Sequence, residues 1–169
     1  AGFEHLKVNA VLIGGFNDDE IPALAELTRY YPMDVRFIEL MPMTESEAFG
    51  SNAYVSGDAV LKALPQLTET VQDDGVAKLY RLPGAQGNIG LIRAVSRHFC
   101  AACNRIRLTS DGKIKPCLHS DQEHPIKGFD EDGVRRVMRE AILAKPACHD
   151  PLSAAARSHA GRSMNQIGG

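Results

Sequence analysis

Three features of the sequence predict a mixed α/β fold of the α+β kind. A strand–helix–strand unit opens the chain. A run of short strands split by turn residues follows, and one amphipathic helix comes late. The first strand is read at Val8–Ile13 (VNAVLI), which is β-branched and mostly apolar. Gly14-Gly15-Phe16-Asn17-Asp18-Asp19 is a turn, with Asn17 or Asp18 placed to cap a helix over Glu20–Tyr31. Pro22 sits where a first-turn proline is tolerated. Val35–Leu40 (VRFIEL) is the second strand. Short links on both sides of the helix make this a βαβ unit and imply a parallel sheet. Two strands and one helix cannot close such a sheet, so residues 1–45 read as the end of a larger α/β domain.

The irregular stretch Met41–Ala53 marks a boundary, and residues 46–169 read as a second, smaller domain. Ser56 can cap a short helix that runs to Leu64 and stops before Pro65. Strands are expected at Leu67–Val71, Ala77–Leu82 and Ile89–Ser96. Arg105–Thr109 and Lys113–Pro116 flank Ser110-Asp111-Gly112, and Asp-Gly between alternating residues is a strong hairpin signal. Asp130–Leu143 reads as a helix with Val134, Val137, Met138 and Ile142 on its apolar stripe. Ser153–Gly169, rich in Ala, Ser, Arg and Gly, reads as an extended tail.

The 169 residues are 44% hydrophobic and 24% charged, with a formal net charge of −2, so the composition is globular. So balanced a charge argues against bulk binding to nucleic acid or a membrane surface, and any anion site must be built locally. No apolar run is long enough for a membrane span. The first fifteen residues lack the basic and small-residue features of a secretory signal. Four cysteines are too few for a disulfide scaffold. Their spacing suits metal ligation in a reducing compartment, so a cytoplasmic location is expected.

Cys100-x2-Cys103, followed after thirteen residues by Cys117, is the sharpest signal. The CxxC turn can bring two sulfurs onto one cation, and the Asp111-Gly112 hairpin can return Cys117 beside them. Three readings stand: unligated thiols, a structural zinc completed by His98 or His119, and an iron–sulfur cluster. Three thiolates on a [4Fe–4S] cube leave one iron open, and an open iron is a Lewis-acidic position for a substrate atom. Cys148, 31 positions beyond Cys117, is read as a non-ligand.

Beside the cysteines, Arg93, Arg97, Arg105, Arg107, Lys113 and Lys115 stand against one acid, Asp111. Arg105 and Arg107, two apart on an expected strand, share a face and suit a phosphate chain. The plain alternative is a solvated strand face. Lys7 at the first strand and Arg36 inside the second can add to the same charge. Glu39, Met41 and Met43 lie at the end of that second strand, where parallel sheets place ligands.

FCAACNRIRLTSDGKIKPCL resembles the second cluster motif of the GTP 3′,8-cyclase family of radical-SAM enzymes, the molybdenum-cofactor biosynthesis protein A family. LKVNAVLIGGFNDDEI, VRFIELMPM and the closing RSMNQIGG resemble the same family, in order along the chain. The resemblance implies that residues 1–45 are the last βα units of an incomplete (β/α) barrel. It implies that residues 46–169 are the small cluster-binding domain that closes its open side. It implies a cluster on Cys100, Cys103 and Cys117 whose open iron meets the guanine of GTP. Lys7, Arg36, Arg105, Ile106 and Arg107 match positions that hold GTP, and Met41 matches one at the S-adenosylmethionine site. Gly168-Gly169 matches a carboxy-terminal pair that enters the active site. The implied reaction rearranges GTP to (8S)-3′,8-cyclo-7,8-dihydroguanosine 5′-triphosphate, the first step towards the molybdenum cofactor. The family's first [4Fe–4S] cluster cleaves S-adenosylmethionine to start it, and the full-length enzyme is expected to be a homodimer. The CxxxCxxC motif of that first cluster is missing, because no cysteine precedes Cys100. The chain is therefore expected to be part of a longer polypeptide and inactive alone. Two rivals from other classes are a zinc module contacting RNA through its basic hairpin and an iron–sulfur electron carrier. The first lacks aromatic stacking residues, having no Trp and only Phe99 nearby. The second would be expected to show four cysteine ligands.

Overall fold

The computed structural model describes residues 2–73, 75–97, 99–153 and 156–167. It is a mixed α/β structure in two compact units. The first takes the chain up to Met41 together with Phe49–Ala102, and the second takes Pro42–Ala48 and the chain from Cys103 onward. No helix among the described residues is long and apolar enough to cross a membrane.

In the first unit, β1 (Leu6–Leu12), α1 (Ile21–Tyr30) and β2 (Met33–Glu39) form the expected βαβ opening. After α2 (Asp58–Ala63) come β3 (Thr68–Asp73), β4 (Lys78–Arg81) and β5 (Ile89–Ile92). The sheet order is β1-β2-β5-β4-β3. β1, β2 and β5 are parallel, while β4 and β3 add on antiparallel. The two faces of this sheet differ. Leu12, Val35, Phe37, Ile89 and Leu91 bury one face against Ile21 and Ala25 of α1 and Val60 of α2. Alternation along the strands then puts Lys7, Asn9, Arg36, Ile38, Gly90 and Ile92 on the other.

Glu39 explains where two elements stop and start. Its side chain is 1% exposed. It accepts hydrogen bonds from the backbone of Gly57 (2.9 Å), Val95 (2.9 Å) and Ser96 (2.7 Å), and from the Ser96 hydroxyl (2.5 Å). The N–H groups of Val95 and Ser96 are thereby withdrawn from strand pairing. The last strand of this sheet ends at Ile92 instead of running to Ser96 as expected. The Gly57 bond holds the start of α2, whose N-cap is Gly57 and not Ser56. Burial opposes the charge on Glu39, but its four donors prevail and hold its pKa below the usual carboxylate value. Asn17 and Asp18 also differ from expectation. Asn17 accepts from Ile13 N and Asp18 from Gly15 N, so both fold the turn, and the N-cap of α1 is Glu20 without a side-chain bond.

In the second unit, β6 (Arg107–Leu108), β7 (Lys113–Lys115) and β8 (His124–Pro125) make an antiparallel sheet in that order. Gly112, at φ 81°, supplies the left-handed residue of the hairpin between the first two. α3 (Glu131–Leu143) begins at Asp130, whose side chain accepts from Gly133 N at 2.9 Å. Its buried positions are Gly133, Val137 and Ala141, whereas Met138 and Ile142 of the expected stripe are exposed. A helix lying close over β7 and β8 buries its smallest side chains, a choice that hydrophobic periodicity alone misses. The tail is not simply extended. It ends in a 3-10 turn, Met164–Gln166, with a capping box from Ser163 and with Ile167 fully buried.

Candidate functional site

Cys100 opens a one-turn 3-10 helix, Cys100–Ala102, at the end of the first unit. Cys103 and Cys117 belong to the second, one just after that turn and the other just after β7. All three are partly buried, and none of the four cysteines is in a disulfide. Among the described residues no three His, Cys, Asp or Glu side chains are gathered in metal-holding positions. Within the second unit, the sulfurs of Cys103 and Cys117 both act electrostatically on Arg107. His98, one of the expected zinc completers, lies outside the described residues. The other, His119, has Nδ1 3.0 Å from Ser158 Oγ and its ring edge-on to His149 with centroids 4.5 Å apart. Burial, aided by the charges of His149, Arg107 and Lys115, pushes its pKa down to about 4, so the ring is neutral at pH 7.

Apart from the exposed Arg97, the clustered cations separate into two sets. Arg93, 8% exposed, pairs with Asp58 at 2.8 Å, and Lys113 pairs with Glu123 at 2.9 Å, so both are structural. Arg105, Arg107 and Lys115 remain beside the cysteines. Arg105 precedes β6 instead of lying in it, so strand alternation with Arg107 does not apply. The two are neighbours all the same. Burial lowers the Arg107 pKa, the Arg105 charge lowers it further, and Cys103 and Cys117 offset part of this. Lys115 is 1% exposed and donates to the carbonyl of Ser120. Ile106 lies partly buried between the two arginines.

One further cation, Lys145, just past α3, is not signalled by local sequence pattern. Its ammonium donates to the carbonyls of Arg105 (2.7 Å) and Pro116 (3.0 Å) and to Cys103 Sγ (3.5 Å). A lysine after a helix normally reads as a partner for the helix dipole, and nothing local announces acceptors 29 to 42 positions earlier.

Lys7 and Arg36 come from adjacent strands in the first unit and project from the same face of the sheet, opposite the face packed against α1 and α2. The stem of Arg36 crosses Gly90, where a Cβ would meet Arg36 Cγ at 2.8 Å. Met41, partly buried, follows the end of β2. Gly168 and Gly169 lie outside the described residues.

The donor chemistry fits an iron–sulfur cluster. The thiols are soft ligands. Those of Cys103 and Cys117 stand among Arg105, Arg107, Lys115 and Lys145, which suits an anionic metal–sulfur group.

Residues 33–151 match the family described as Molybdenum Cofactor Synthesis C. The chain is similar to the GTP 3′,8-cyclase of Alkaliphilus oremlandii (strain OhILAs), at 43% identity over 99% of this chain and 53% of that protein. It is similar to the GTP 3′,8-cyclase of Peptoclostridium acidaminophilum, at 44% identity over 99% of this chain and 52% of that protein. The GTP 3′,8-cyclase of Heliobacterium modesticaldum (strain ATCC 51547 / Ice1) is 38% identical over 100% of this chain and 55% of its own length. The chain thus spans about half the length of these curated relatives.

Proposed function

Because the chain belongs to the Molybdenum Cofactor Synthesis C family, we propose that it supplies the GTP-holding and cluster-holding portion of GTP 3′,8-cyclase. The observation that carries this reading is that Cys103 and Cys117 both lie within electrostatic reach of the partly buried Arg107, as does Arg105, and that Cys117 also acts on Lys115. Cys100, Cys103 and Cys117 would hold the chain's [4Fe–4S] cluster. When bound, that cluster offers one iron as a Lewis acid to a donor atom of the guanine base.

The chain's own residues do the binding and orienting. Arg105 and Arg107 take phosphate oxygens, for which guanidinium donors are suited. Ile106 packs between them. Lys7 and Arg36 add positive charge from the sheet face opposite the helices. Met41 contributes to the S-adenosylmethionine side, and the tail carries Gly168-Gly169 towards the reacting nucleotide, where a chain end without side chains can enter. Residues 1–45 would then complete a partial (β/α) barrel and residues 46–169 would form the cluster domain. The S-adenosylmethionine-cleaving cluster belongs to the remainder of the enzyme, a cytoplasmic homodimer in this reading.

Arg107→Ala and Arg105→Ala, made in the full-length enzyme, test the nucleotide part. Each lost charged hydrogen bond weakens GTP binding by about 1.5–3 kcal/mol, read by titration calorimetry. Unchanged affinity removes both side chains from the site.

A further inference from the structure

Lys145 is the group for which the preceding assignment has no use, and its geometry is specific. An ammonium group has three protons, and here three acceptors take them: Arg105 O at 2.7 Å, Pro116 O at 3.0 Å and Cys103 Sγ at 3.5 Å. No carboxylate among the described residues stands at ion-pair distance from it. The acceptors lie on two separate limbs of the chain. Cys103 and Arg105 belong to the segment entering β6, and Pro116 is the residue before Cys117, leaving β7. The ammonium therefore ties together the two limbs that carry Cys103 and Cys117. Its own position is fixed from behind, because α3 lies on β7 and β8 through Gly133, Val137 and Ala141 and ends two residues before it.

We infer that Lys145 is a positioning residue for the iron–sulfur cluster, holding the Cys103 and Cys117 limbs in register and donating a hydrogen bond to the Cys103 sulfur. The inference rests on the cluster reading above. It adds a side chain that is neither a ligand nor a nucleotide contact. Groups that orient metal ligands commonly change metal affinity about 10–100-fold when removed. Hydrogen bonds to cluster sulfurs also tune reduction potential. A cation beside the sulfur stabilises the more negative, reduced state, so losing it makes reduction harder.

The test compares wild type with Lys145→Met, which keeps the aliphatic stem and removes charge and donors, and Lys145→Gln, which keeps an uncharged donor. All three are reconstituted anaerobically with ferrous iron and sulfide. Iron retention against a chelator and the midpoint potential of the bound cluster are measured, with circular dichroism as a control on folding. The expected result is retention about 10–100-fold weaker in Lys145→Met with a more negative midpoint, and smaller changes of the same sign in Lys145→Gln. If Lys145→Met does not fold, Lys145→Gln is read against the same two quantities. A wild type that loads iron, with a folded variant matching it in retention and potential, overturns the role of Lys145 and leaves the cluster reading intact. A wild type that binds no iron overturns the cluster reading and this inference with it.

Discussion

At the scale of single residues, buried charge is what ties the first unit's loops down. Glu39 is charged, buried and fully engaged by donors from two separate loops. Glu39→Ala strands those backbone N–H groups. Each buried donor left unsatisfied costs about 1–3 kcal/mol, so unfolding free energy should fall by roughly 3 kcal/mol or more, as read by urea denaturation. Glu39→Gln should cost less, because the amide still accepts. Some of this was legible beforehand. The position of Glu39 at the end of the second strand was readable from VRFIEL. The partners themselves were not legible, because Glu39 reaches donors 18 to 57 positions away. Lys145 was invisible for the same reason. Local pattern carries no information about which distant carbonyls a flexible side chain will find.

At the scale of elements, the tail and the hairpin are joined by a charge cluster. Arg162 bonds Asp111 at 2.8 Å and Glu123 through both Nη2 (2.8 Å) and Nε, and Lys113 reaches Glu123 at 2.9 Å. The Arg162 bonds, opposed only in part by burial, and the Lys113 contact pull the Glu123 pKa down from 4.5 to about 2. The folded value lies below the unfolded one, so this attachment is fully present above about pH 4.5 and is lost as pH falls through about 2. At pH 7, Glu123→Gln should release the tail and speed tryptic cleavage after Arg162. An unchanged cleavage rate would show that the tail's other contacts, among them Arg162 with Asp111 and the buried Ile167, hold it without Glu123. A second element-scale prediction concerns Gly90 of β5. In Gly90→Val the new side chain takes the space of the Arg36 stem and also crowds Ala77 Cβ at 3.2 Å. Arg36 must swing away. GTP affinity of the full-length enzyme should then drop about as far as in Arg36→Ala, as measured by calorimetry. The βαβ opening and the Asp111-Gly112 hairpin were readable from periodicity and turn chemistry. β8, two residues long, and the small-residue face of α3 were not, since both exist only through what packs on them.

At the scale of the whole molecule, one unit carries a mixed five-stranded sheet and the other a short antiparallel sheet whose hairpin leads into Cys117. The α/β class and the family were both legible, the first in the order of elements and the second in the spaced motifs. The division of the chain into units was harder to read, because Phe49–Ala102 follows a boundary-like stretch yet adds β5 beside β2 in the first sheet. Cluster content after anaerobic reconstitution with ferrous iron and sulfide tests the central claim most directly. About four iron and four sulfide per wild-type chain, with broad visible absorption, and loss of both in Cys117→Ala, is the expected result. A single colourless zinc in the wild type, or full iron retention in Cys117→Ala, contradicts it.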